Sequence, residues 1–168
     1  MAKKIILLLL IVSIGYFFYN PMILSLADIK DPEPFNLIPG QTFKLKDIPE
    51  LKNAQNTVVY IVLDHEDRKD ISPKISKWKI LTSSNSTLVN GLFNCEFKYS
   101  GSDVSTVQNM MYIYSNNTLI FESEISLDSG SLGIQNRATG WVTPVENNHF
   151  ISIIGQFDRY NLPVLIIK

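Results

Sequence analysis

The chain has 168 residues with 15 Lys and Arg against 16 Asp and Glu, a formal net charge of −1, and a single cysteine, Cys95. Near-neutral charge removes the electrostatic footprint of a nucleic-acid binder, so no nucleic-acid partner is expected. One cysteine rules out an internal disulfide and makes packing the source of stability.

The first 27 residues have a composition of their own. Lys3 and Lys4 precede an apolar run from Ile5 to Phe18, and no charge returns until Asp28. As a helix, Ile5 to Tyr19 covers about 22 Å of a hydrocarbon core that is roughly 30 Å thick, whereas extension to Leu26 reaches about 33 Å. Asn20-Pro21 stands in the way of that extension, because proline lacks a donor and biases the preceding residue out of the helix. Two readings follow, an uncleaved transmembrane anchor and a secretory signal cut after Ala27 in Ser25-Leu26-Ala27. The aromatic cluster Tyr16, Phe17, Phe18 and Tyr19 and the apolar Met22, Ile23 and Leu24 favour the anchor. Both readings leave the two lysines in the cytoplasm and place the rest of the chain outside it, in the periplasm if the cell is bacterial, or secreted if cleaved.

Residues 28–34 hold two prolines and four charges and read as an extended linker, with the exported domain running from Phe35 to Lys168. Pro39-Gly40 is a turn signal and Thr42 to Leu45 a short strand. Val58 to Leu63, rich in β-branched residues, reads as a buried strand. Over 71–81 helical spacing (Ile71, Ile75, Trp78) competes with alternation at 77–80, and strand from about Ile75 is preferred. Residues 83–90 read as a polar turn region. Leu92 to Tyr99 then alternates, setting Phe93, Cys95, Phe97 and Tyr99 on one face.

Met110 to Ser115 and Thr118 to Ile125 form a predicted hairpin about Asn116-Asn117, since asparagine tolerates the left-handed backbone of a two-residue turn. Its simple register sets Tyr114 against Leu119, Tyr112 against Phe121 and Ile113 against Ile120. Further strands are expected near 132–135, over 141–143, over 149–154 and over 164–167. About eight short strands with turns between them predict an all-β fold, an antiparallel sandwich or barrel preceded by the transmembrane or signal helix.

Candidate chemistry is sparse. Asp64, His65, Glu66 and Asp67 follow a buried strand, where carboxylates and an imidazole could hold a metal or transfer protons, but they lack the spacing of a zinc-protease helix or a calcium loop. Cys95 amid aromatics reads as a packed thiol rather than a nucleophile. A basic group, Arg68, Lys69, Lys74, Lys77 and Lys79, surrounds Trp78 and reads as a solvated face. Asn85-Ser86-Thr87 and Asn116-Asn117-Thr118 are glycosylation sequons. Asp128-Ser129-Gly130 resembles the catalytic tripeptide of aspartic proteases, and Ile153-Ile154-Gly155 resembles a later element of their retroviral type. That resemblance implies a homodimer, since two aspartates must share a proton; the interval between the two motifs is shorter than that family's flap and strands require.

No dinucleotide, phosphate-loop or hydrolase-elbow motif occurs, and no cofactor is expected. The sequence therefore points to a non-catalytic, membrane-tethered β-domain that binds a protein partner, as an accessory subunit, inhibitor or immunity-type protector. The alternatives are a small-ligand-binding barrel with Tyr112, Tyr114 and Trp141 at its mouth, and a hydrolase using the acidic loop.

Overall fold

A computed structural model describes residues 2–26, 34–101 and 107–168. The cleavage position Ala27, most of the expected linker 28–34 and part of the turn 100–103 lie outside the described residues. Contacts gather the chain into two compact units, Met1–Asp28 with Tyr160–Lys168, and Ile29–Arg159.

In the first unit, helix α1 (Ala2–Tyr19) ends at the breaker. The Asn20 amide donates to Tyr16 O at 2.7 Å, and its side chain donates to the Tyr16 hydroxyl at 2.9 Å. After Pro21 the chain is extended as β1 (Met22–Ser25), which pairs in parallel with β11 (Val164–Ile167), Met22 opposite Val164 and Ser25 opposite Ile167. Bonds from Met22 N to Pro163 O at 2.9 Å and from Leu26 N to Ile167 O at 2.7 Å flank the pair. The expected transmembrane helix is thereby corrected: residues 22–25 form a strand instead of prolonging α1, and among the described residues no helix is long and apolar enough to cross a membrane. The apolar side chains of α1 are nonetheless exposed on every side, Ile5, Leu8 and Val12 among them.

The second unit is built on one antiparallel sheet. Its strands are β2 (Thr42–Lys44), β3 (Thr57–Val62), β4 (Ile80–Ser83), β5 (Glu96–Tyr99), β6 (Met110–Ser115), β7 (Thr118–Ser126), β8 (Gly133–Asn136), β9 (Gly140–Pro144) and β10 (Asp158–Arg159). Their order is β10-β4-β3-β6-β7-β8-β9-β5-β2. The mostly β character agrees with the sequence, but the sandwich-or-barrel expectation is corrected. Among the described residues the end strands β10 and β2 do not pair, and the second layer is helical, made by α2 (Ser86–Asn94) and α3 (Asn147–Ile154).

Both helices fall where the sequence suggested turn or strand, and the reasons are local. Asn85 caps α2, its Oδ1 accepting from Thr87 N at 2.9 Å and Leu88 N at 3.4 Å, which offsets the orphan donors of a helix start. Val89, Leu92 and Phe93 then fall on one buried face at helical spacing. Phe93 thus belongs to the helix, and only Phe97 and Tyr99 keep the expected strand face. In α3, Phe150, Ile151, Ile153 and Ile154 are buried, and burial outweighs the β-preference of the isoleucines. Gly155 ends that helix against the Lys74 backbone, where an added Cβ would lie 2.7 Å from Lys74 O. Between the helices, an added Cβ on Gly91 would meet Ile153 Cδ1 at 3.3 Å. Over 71–81 the chain makes a bridge at Ile71 with Asp128 and becomes a strand only at Ile80.

The core lies between one face of the sheet and these helices. Val59, Ile61, Met111, Ile113, Phe121, Ile134, Val142 and Phe97 project from the strands to meet Leu92, Phe93, Phe150 and Ile154. Each such side chain contributes about 1.5–3 kcal/mol through removal of apolar surface from water. Phe97 and Phe150 join the layers directly, ring centroids 5.6 Å apart, edge to face.

Cys95, the residue that follows α2, is buried, and desolvation, with a smaller contribution from the Glu146 charge, pushes its thiol up to about 11. The folded state therefore holds the proton that the unfolded chain releases near 9, so stability from this group is complete below pH 9 and is lost as pH rises toward 11. We expect Cys95→Ala to cost about 1 kcal/mol or somewhat more through lost packing. A thiol reagent at neutral pH should label the native protein only at its unfolding rate, and immediate labelling would contradict burial.

Candidate functional site

The helices cover one face of the large sheet. On the opposite face, strand register assembles a row of polar and aromatic side chains that local sequence does not reveal. Tyr60 of β3 stands opposite Thr82 of β4 on one side and opposite Tyr112 of β6 on the other, and Tyr112 stands opposite Glu122 of β7. Tyr60, Tyr112 and Glu122 are all half-buried. Tyr114, buried, lies two residues along β6 on the same face, its ring edge-on to Tyr60 with centroids 5.7 Å apart. Three tyrosines from two strands thus form one cluster flanked by a carboxylate.

A β-bulge puts Glu122 into this row. The turn Asn116-Asn117 has φ of 50° and 64° and sets Tyr114 opposite Leu119, as the simple register predicts. The next pair is Ile113 with Phe121, so Ile120 is the extra residue. One inserted residue exchanges faces for everything after it. Phe121 enters the core, and Glu122 replaces it opposite Tyr112. The expected pairings Tyr112 with Phe121 and Ile113 with Ile120 are corrected accordingly.

Electrostatics follow the partial burial. Desolvation raises the Glu122 carboxyl above its ordinary range, with the Arg137 charge pulling it partly back. Desolvation likewise raises Tyr112, helped by the Glu122 and Tyr114 charges, and raises Tyr60, helped by Tyr114. These hydroxyls stay protonated at neutral pH and serve as donors as well as aromatic surface. Arg137 sits in the turn between β8 and β9, which Asn136 organises by accepting from the Ala138 and Thr139 amides, each at 2.9 Å.

Of the three residues expected at a ligand mouth, Tyr112 and Tyr114 come together, while Trp141 stands apart on β9. A sheet with two free ends has no barrel mouth for all three to share. Trp141 instead lines a cavity of about 380 Å³ with Ser129, Ser131, Leu132, Thr143 and Asn147. Gly133 makes room for its indole, since an added Cβ would lie 2.6 Å from Trp141 Cζ2.

The acidic loop is committed to backbone contacts. Asp64 Oδ1 accepts from Glu66 N at 2.8 Å, Asp67 Oδ2 accepts from Gln108 N at 3.1 Å, and the Asp64 amide donates to Asn109 Oδ1 at 2.8 Å. His65 and Glu66 are exposed. Among the described residues no group of three or more His, Cys, Asp or Glu side chains is placed to hold a metal ion.

Asp128 turns its Oδ1 onto Gly130 N at 3.0 Å, an ordinary Asx turn, and Ile153-Ile154-Gly155 ends a helix, so the protease-like motifs lack the strand context of that family. Arg159, which the sequence did not single out, places its guanidinium 5.2 Å from the Trp78 ring centre. Lys77 of the basic group donates from Nζ to Lys69 O at 2.9 Å.

No family model matches the chain, and neither a curated protein nor a solved structure is significantly similar to it.

The raised Glu122 carboxyl carries a stability consequence of definite sign. The folded state holds this proton more tightly than the unfolded chain does, so ionisation costs stability, beginning at the unfolded carboxyl range and complete above the folded one. Glu122→Gln should leave thermal stability at neutral pH unchanged or slightly raised and flatten its fall through the carboxylate range. A loss of several degrees in a thermal melt at pH 7 would show instead that the contact with Arg137 dominates.

Proposed function

We propose that this protein is a non-catalytic, exported β-domain, held at the membrane by its N-terminal segment, that binds a protein partner through the Tyr60, Tyr112 and Tyr114 face of its large sheet. The observation that carries the reading is the tyrosine cluster itself. Tyrosine offers a large amphipathic surface at low entropic cost and is enriched where proteins meet. Here Tyr60 and Tyr112, both half-buried, and the buried Tyr114 stand together on the sheet face opposite α2 and α3. Accessory subunit, inhibitor and immunity-type protector all fit such a domain.

Export is supported by Lys3 and Lys4 ahead of the apolar α1, the polarity that keeps an N-terminus cytoplasmic. The exposed apolar surface of α1 suits insertion into lipid or into the export machinery, though its length falls short of a span. Pairing of β1 with β11 supports retention of the N-terminal segment, because a cut after Ala27 would detach β1 from the chain that carries its partner strand. The second reading, a small-ligand binder, rests on the cavity beside Trp141.

Two measurements test the proposal. A photoreactive amino acid replacing Tyr112 should form a protein adduct of defined mass in detergent-solubilised membranes, while the same group at the exposed Lys52 should not. Absence of an adduct from position 112, or equal labelling from both positions, would remove the protein-binding reading. For export, an alkaline phosphatase fused after Lys168 should be active and a fluorescent protein that matures only in the cytoplasm should stay dark, and the reverse pattern would overturn it.

A further inference from the structure

The cavity beside Trp141 is graded from apolar to polar. Leu132, Trp141 and Pro144 are buried and form its floor. Ser131 and Thr143 are half-buried, and Ser129 and Asn147 are exposed, so the space deepens from a solvent-open rim. Its volume of about 380 Å³ lies at the lower end of the roughly 300–1,000 Å³ typical of small-molecule sites. The backbone fixes the indole in place, since an added Cβ on Gly133 would lie 2.6 Å from both Trp141 Cζ2 and Val142 O.

Hydrogen-bonding capacity here goes unused by the protein. Trp141 is only 4% exposed, and the N–H of a buried tryptophan ordinarily finds an acceptor. Among the described residues, the Trp141 indole N–H donates to no protein group, and the side chains of Ser131, Thr143 and Asn147 make no hydrogen bond to one. None of the lining residues is ionisable. Carboxylates flank the lining in sequence, Asp128, whose Oδ1 accepts from Gly130 N at 3.0 Å, and Glu146.

We infer that this cavity binds a neutral, hydroxyl-rich ligand, a saccharide unit of one or two rings. This rests on the ligand-binding reading, adds the ligand's class to it and leaves the tyrosine face to a protein partner. The chemistry of the walls selects the occupant. A charged ligand would be desolvated against walls that carry no counter-charge, and an anion would besides approach Asp128 and Glu146. A purely apolar ligand would leave the indole N–H and the half-buried hydroxyls without acceptors or donors. Sugar hydroxyls both donate and accept, as the serine and threonine hydroxyls and the Asn147 amide do, and any of them can accept from the indole. The C–H groups on the faces of a sugar ring suit the apolar floor of Leu132 and Pro144.

The test uses the full chain in a detergent without a sugar headgroup, applied to an array of neutral glycans, each beside its sulfated form. One or more neutral glycans should retain the protein, and sulfation should not strengthen retention. Trp78 and Trp141 are the two tryptophans of the chain, so in a Trp78→Phe background the emission reports Trp141 alone. Titration with a retained glycan should change that emission saturably. Trp141→Phe, which keeps an apolar ring and removes the N–H, and Thr143→Val and Asn147→Leu should each weaken retention roughly two- to tenfold. Thr118→Val, at an exposed threonine of the β6–β7 hairpin, should bind as the native chain does. Circular dichroism of each variant separates loss of the site from loss of the fold, and if Trp141→Phe unfolds, the contrast between Thr143→Val and Thr118→Val decides.

Retention of no neutral glycan, preference for the sulfated forms, or equal losses in Thr143→Val and Thr118→Val would overturn the inference. A parallel thermal-shift screen with nucleosides, amino acids and fatty acids tells the two failures apart. If glycans fail while one of these compounds raises the melting temperature of the native chain but not of Thr143→Val, the saccharide chemistry is wrong and the ligand-binding reading stands. If none of them does, both fall.

Discussion

The pleat of a β-strand leaves no intermediate setting: a residue faces one side of the sheet or the other, and a one-residue slip moves every later side chain across. Ile120 is such a slip. Before it, the hairpin follows the register of its Asn116-Asn117 turn; after it, Phe121 and Ile125 reach the core and Glu122 and Glu124 reach the opposite face. A continuous alternation would have turned Phe121 outward and buried Glu122 among Met111, Ile113 and the helices. An unpaired buried carboxylate there would cost several kcal/mol. The bulge therefore serves stability and sets Glu122 opposite Tyr112 in one device.

The two faces of the sheet do different work for the same reason. One is closed by α2 and α3, whose buried residues interlock with the strands through Phe97 and Phe150. The other gathers hydroxyls, carboxylates and aromatic rings at half-burial, a setting that weakens hydration without abolishing it. The upward shifts of Tyr60, Tyr112 and Glu122 arise mainly from that partial desolvation. Half-buried tyrosines present apolar ring surface together with polar hydroxyls, which is the physical basis for reading the face as a binding surface.

A parallel pair joins β1 and β11, segments far apart in sequence. Parallel pairing requires a long connection, and here almost the whole protein supplies it. The strand β1 contributes to the fold through its pairing with β11.

Much of this was legible in the residues alone. The Asn116-Asn117 hairpin, the strands around 42–44, 57–62, 140–144 and 164–167, and the burial of Cys95 all follow from asparagine's tolerance of positive φ, β-branched patterning and apolar surroundings. These are local constraints, complete within a few residues. Tertiary structure decided the rest. Short stretches such as 86–94 and 147–154 satisfy either period, and only the helix-facing side of the sheet makes helices of them. Met22 to Ser25 is a strand paired with β11, a partner more than a hundred residues along the chain. Tyr60, unremarked in the sequence, joins Tyr112, Tyr114 and Glu122 because strand pairing and a single bulge place them there, and a register between distant strands is written in no one segment.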